Sequence, residues 1–129
     1  EELVDELIVW LSRWDTEYAK FIDPKLQILE ELGDHKNPKI RSAVEPFLQD
    51  VSEPARFNAV TTILAQQEPE SLGPLLDLML EEESVRVRTK IADGLAELGW
   101  EIPEDRRDPI RKVLPPQFTI DGAGTVKKR

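Results

Sequence analysis

The chain has 129 residues, 40% hydrophobic and 33% charged, and its 26 acidic against 17 basic residues leave a net charge of −9. That length suits one compact domain that buries roughly two-thirds of its unfolded surface, and the excess of acid opposes binding to a phosphate backbone. With no cysteine there are no disulfides, thiolate nucleophiles or cysteine-based zinc sites, and the longest apolar run, Leu7–Leu11, is too short to span a bilayer.

Taken in order, Glu1–Arg13 reads as a helix with Leu3, Val4, Leu7, Ile8 and Leu11 on one face and Trp14 continuing it. The pattern loosens through Asp15–Ile22, a loop expected to be pinned by Tyr18 and Phe21. Punctuation then becomes regular: Asp23-Pro24, Asn37-Pro38, Glu53-Pro54 and Glu68-Pro69 follow one another at intervals of 14, 16 and 15 residues. Proline suits a first helical turn, and the residue before it resists the helical region, so each pair marks a helix start. Ser84, a capping residue, marks the next. The helix from Asn37 carries Ile40, Ala43, Val44, Phe47, Leu48 and Val51, and Pro46 inside it predicts a kink. The helix from Ser52 carries Phe57, Val60, Ile63 and Leu64, with Ala59 small enough to admit a close neighbour. The helix from Glu68 carries Leu72, Leu75, Leu76, Met79 and Leu80, with Pro74 as a second expected kink. Beyond Gly99, Glu104–Leu114 reads as a last helix weakened by Pro109, and Gln117–Ile120, Asp121–Gly124 and Thr125–Lys128 read as strand, turn and strand.

The helix at Ser52 is written more than once. A shift of 32 residues lays VRTKIADGLAEL over ARFNAVTTILAQ, with Arg88 on Arg56 and Leu95 on Ile63. A shift of 31 in the other direction brings in PKLQILEELG, with Lys25 at the arginine position. Proline-kinked helices thus alternate with straight ones that carry a basic residue near their start. Alternating helices in pairs of about 30–35 residues resemble HEAT-type repeats. The resemblance, to bacterial HEAT-repeat proteins, rests on NPKIRSAVEPFLQDVSEPARFNAVTTIL and PLLDLMLEEESVRVRTKIADGLAELG and covers about Asp23 to Gly99. It implies an all-α fold: an α-α superhelix, or HEAT-like solenoid of stacked helical pairs, closed by a short C-terminal hairpin or extended tail. The expected organisation is one domain, with residues 1–22 as first helix and loop, 23–99 as repeats and 100–129 as a cap. Because residue 1 is Glu, the chain is expected to be the C-terminal part of a longer protein, with repeats or a signal sequence upstream. In the proteins it resembles, a turn aspartate and the second-helix arginine bond across repeats. The counterparts here are Asp50 with Arg56, and the acidic turn Glu81–Glu83 with Arg88. Such turns bury carbonyls that need a donor, which is a reason independent of any family.

Little in the chain points to chemistry. His35 is the only histidine and sits in the polar turn Gly33–Lys36, where a solvated loop residue explains it better than a general base or metal ligand. Glu81–Glu83 lacks the alternating ligands and glycine of a calcium loop, and Gly122-x-Gly124 lacks the third glycine and the helix of a phosphate loop. Lys127-Lys128-Arg129 reads as a solubilising tail. Trp10, Trp14 and Trp100 belong to a core or an exposed end rather than to a nucleic-acid surface, which would need clustered positive charge. Neither metal nor cofactor is expected, and neither nucleic acid nor membrane is an expected partner.

What remains is surface. In paired-helix solenoids the second helices line one continuous face that binds partners. Register aligns Gln27, Asn58 and Lys90; Glu30, Thr61 and Asp93; and Glu31, Thr62 and Gly94, all expected to be exposed and polar. The function expected is a non-catalytic, cytoplasmic scaffold that binds a basic or polar protein segment on this face. The competing reading is a HEAT-like enzyme, of DNA-repair glycosylase or pigment-lyase type, and a third is a plain helical bundle without a special face.

Overall fold

Prolines and capping residues set where the helices begin. The computed structural model describes residues 2–15 and 22–129, so the expected pinning by Tyr18 and Phe21 lies outside the described residues. Among the described residues, seven α-helices and one two-stranded sheet fall into two compact units, Glu1–Ser71 and Leu72–Arg129. No helix among the described residues is long and apolar enough to cross a membrane.

The first unit holds α1 (Glu2–Arg13), α2 (Ile22–Leu32), α3 (Pro38–Val44) and α4 (Glu53–Gln66). Asn37 caps α3, its side chain accepting from the Lys39 amide at 3.0 Å, with Pro38 in the first turn. Pro46 cannot supply the amide that would continue α3, and the chain tightens into a 3₁₀ segment, Glu45–Gln49. Against this half-element, and against α2 and α3, packs α4. The core is Val4 and Leu11 from α1, Leu29 and Leu32 from α2, Ile40 and Val44 from α3, Leu48, and Ala59, Val60 and Ile63 from α4.

In the second unit, α5 (Leu72–Glu81), α6 (Val85–Leu98) and α7 (Glu104–Val113) carry the antiparallel hairpin of β1 (Phe118–Ile120) and β2 (Val126–Lys128), with Phe118 opposite Lys128 and Ile120 opposite Val126. The kink expected at Pro74 does not occur. Pro69–Ser71 forms a separate 3₁₀ turn and α5 starts at Leu72, which puts Pro74 in a first turn, where its missing N–H would have had no partner. Pro109 lies inside α7, which continues past it. Phe118, Ile120 and Val126 are buried, and the hairpin packs on α6 and α7. Lys127–Arg129 is therefore not a loose tail: Val126–Lys128 forms the second strand, and the Arg129 amide donates to the Gln117 carbonyl at 2.8 Å.

The 32-residue repeat is a repeat of local structure as well as of letters. Helices α4 and α6 each have 14 residues, follow extended cap residues Ser52 and Ser84, and end on left-handed residues, Gln67 (φ 57°) and Gly99 (φ 69°). Ahead of each cap a carboxylate accepts the cap's own amide: Asp50 from Ser52 at 2.9 Å and Glu82 from Ser84 at 3.0 Å. The caps differ in one respect. The Ser84 hydroxyl accepts from the Val87 amide at 3.2 Å, whereas the Ser52 side chain makes no cap bond.

Candidate functional site

The surface where α2 meets α4 is built by a close approach. Gly33 follows α2, and a Cβ there would sit 3.1 Å from the Thr62 hydroxyl and 3.1 Å from the Glu30 carbonyl. The last carbonyls of a helix have no partner within it. One of these, on Leu29, accepts the Thr62 hydroxyl at 2.5 Å. One turn earlier, Asn58 Nδ2 donates to the Leu26 carbonyl at 3.1 Å. Past the end of α2, Gln66 Nε2 donates to the His35 carbonyl at 2.9 Å and its Oε1 accepts from the Asn37 amide at 3.3 Å. The turn after α2 is thus tied to the last turn of α4, and His35 Nε2, 3.3 Å from Glu31 Oε2, takes part only at the rim.

These contacts leave a depression of about 130 Å³ between the two helices. Gly33, Thr62 and Ala65 line it together with Asn58 and Thr61, and Glu30 and Asp34 stand at its edge. The two carboxylates are four residues apart, both are exposed, and neither has a hydrogen bond or ion pair among the described residues. Cofactor and drug-sized pockets are roughly 300–1,000 Å³, so this one is suited to the end of a single long side chain. The unit that holds it is the acidic part of the chain: residues 1–71 contain 15 acidic and 7 basic side chains, net −8, against 11 and 10, net −1, in residues 72–129.

The structure sorts the aligned surface positions. Gln27, Glu30 and Glu31 are exposed on α2. Thr62 was expected on the surface but is buried, because the Leu29 carbonyl needs its hydroxyl. Asn58 and Thr61 are half-buried, Asn58 spent on α2 and Thr61 Oγ1 donating to the Phe57 carbonyl at 3.0 Å. In the second unit Lys90 and Gly94 are half-buried, while Asp93 forms an ion pair with Lys128 of the hairpin, Nζ to Oδ1 at 3.2 Å. Asp34, Gly33 and Ala65 were not singled out by register. Asp34 lies past the end of α2, in a turn where its amide donates to the Glu31 carbonyl at 3.0 Å, and it is this turn, not a helix face, that brings its side chain beside Glu30.

The repeat arginines differ. Arg56 Nη1 donates to the carbonyls of Asp50 (2.9 Å) and Val51 (3.3 Å), so it takes the Asp50 backbone rather than its carboxylate. That carboxylate belongs to Lys25, the basic residue of the preceding repeat, at 2.7 Å. Arg88 is half-buried, and its Nε is buried without a hydrogen-bond partner among the described residues. Comparison with protein-family models, curated proteins and solved structures finds no match to this chain.

Proposed function

We propose that the chain is a non-catalytic protein-interaction scaffold, a HEAT-like stack of helical pairs, that takes a basic or polar segment on the face of α2 and α4. The observation that carries this is the pair of carboxylates, Glu30 and Asp34, which have no hydrogen bond or ion pair among the described residues and stand on the edge of a depression floored by Thr62 and Ala65. A lysine or arginine side chain could lay its aliphatic stem on that floor and its charged end between the two acids. The solenoid arrangement is supported by the equal lengths and matching ends of α4 and α6 at a separation of 32 residues. A cytoplasmic setting belongs to the same proposal, and fractionation of the source cell tests it.

The direct test is isothermal titration with short peptides carrying lysine or arginine among neutral residues. Binding is expected to the wild type and to be lost in Glu30→Lys/Asp34→Lys, whose melting temperature should stay within a degree or two because both residues are exposed. Undiminished binding by the double variant would move the working face elsewhere, first of all to the α3 side of the pairs.

A further inference from the structure

Helix α1 carries two apolar stripes, and its own unit uses only one. Val4 and Leu11 are buried against the rest of the first unit, with Ile8 half-buried between them. About a quarter-turn around the helix lie Leu3, Leu7, Trp10 and Trp14, at steps of four, three and four residues. Leu3 is 49% exposed, Trp10 53% and Trp14 39%, with Leu7 half-buried among them, and the Trp14 amide donates to the Trp10 carbonyl at 2.9 Å, which keeps the last tryptophan on the helical path. Alternating steps of four and three are the spacing by which one helix packs along another. Val9, exposed on the opposite side, is a single side chain and needs no such account.

The flanks of the outer stripe identify what covers it. On one side the helix meets its own unit. On the other side stand Glu6 and Arg13, both exposed, seven residues apart and without an ion pair among the described residues. We infer that this stripe pairs antiparallel with the same stripe of a second copy of the chain. An antiparallel copy sets Glu6 against Arg13 of the other copy and, by the two-fold axis, Arg13 against Glu6. It also sets Leu3 across from Trp14 and Leu7 across from Trp10, a leucine against a tryptophan in every layer, which fills the seam evenly. A parallel pairing in register would carry the Glu6–Arg13 flanks of the two copies to opposite sides of the seam, where neither charge meets its opposite, and would stack the tryptophans together. Asp5 plays no part, since it already accepts Lys39 Nζ at 2.9 Å. The seam is short, about 18 Å for 12 residues, so the dimer is weak and concentration-dependent, below the area of a permanent interface. It leaves the depression between α2 and α4 out of the contact and stands independently of the function proposed above.

The test is sedimentation equilibrium of the 129-residue chain from low micromolar to near-millimolar concentration. Reversible dimerisation is expected, lost in Trp10→Ser and weakened at least about tenfold in either Glu6→Arg or Arg13→Glu, where like charges meet twice. Mixing the two charge variants should restore association as a heterodimer, because one copy then brings two arginines and the other two glutamates. Thermal unfolding of each variant should match the wild type, since none of these residues is buried. A chain that stays monomeric throughout overturns the inference, more so if quenching shows Trp10 and Trp14 shielded by another segment. So does a dimer indifferent to these substitutions, or one that the mixture of charge variants fails to recover.

Discussion

Lys25 is fully buried, and its ammonium lies 2.7 Å from Asp50 and 3.2 Å from Asp15, with the Phe47 ring 5.5 Å away. Asp50 meanwhile uses its other oxygen for the Ser52 amide and its carbonyl for Arg56, so one residue ties α2 to the start of α4. Replacing Lys25 by Met would keep the volume and strand the nearly buried carboxylate. The expected loss is about 3–5 kcal/mol by urea unfolding, because a buried charge deprived of its partner costs far more than the pair contributes. Thr62→Val should cost about 1–2 kcal/mol by the same measurement, since it removes the donor from the Leu29 carbonyl at nearly constant shape. Neither role was visible in the letters. The repeat alignment did place Lys25 with Arg56 and Arg88, but alignment fixes equivalence and not depth. Thr61 and Thr62 are neighbours of identical type, and only the nearness of the α2 terminus decides which one turns inward. Glu30 and Gln27, by contrast, were legible as surface because nothing on α2 needs them.

At the level of elements, the sequence was clearest where backbone chemistry is strictest. Asn37-Pro38 and Ser84 begin helices as expected, and Gly99 takes the left-handed end that a glycine accepts at little cost. The misplacement at Pro74 arose because Glu68-Pro69 opens a 3₁₀ turn instead of the helix itself; both forms accept proline at their start, and letters alone do not separate them. The C-terminal hairpin depends on its turn. Asp121 accepts the amides of Thr125 (2.9 Å) and Ala123 (3.0 Å). Those bonds, the one from Thr125 foremost, hold its carboxyl below the usual carboxylate range. A carboxyl depressed in the folded state stabilises above its unfolded pKa, near 4, and that stabilisation is lost as pH falls through the lower folded value. Asp121→Asn should therefore lower the melting temperature at neutral pH and flatten its decline on acidification below about pH 4. Gly124 offers a second check. Its φ of 89° is strained for any side chain, and a Cβ would lie 2.5 Å from the Arg107 guanidinium, which donates to the Ile102 and Ala123 carbonyls. Gly124→Ala should cost about 1–3 kcal/mol, seen as early loss of amide protection in Phe118–Ile120.

Net charge is a property of the whole molecule, and here it is uneven: residues 1–71 carry −8 of the −9. Asp5 is matched by Lys39, Asp77 by Arg106 and Asp93 by Lys128, whereas Glu30 and Asp34 have no ion pair among the described residues and stand beside the apolar floor of the depression. Two separable effects on a cationic peptide follow. The long-range field should govern how often the peptide arrives, and the two local carboxylates how long it stays. Between about 0.01 M and 0.15 M ionic strength the Debye length shrinks from roughly 30 to 8 Å, so stopped-flow association rates should fall by about tenfold while dissociation rates change little. In Glu30→Gln/Asp34→Gln most of the negative field persists. Its association rate should keep nearly the same dependence on salt, and its dissociation rate should rise by about tenfold or more, as expected when close charged contacts are removed. An association rate indifferent to salt would mean that the partner is not cationic. Unchanged dissociation in the neutralised variant would mean that the peptide settles away from the α2–α4 depression, even if the field of the first unit draws it in.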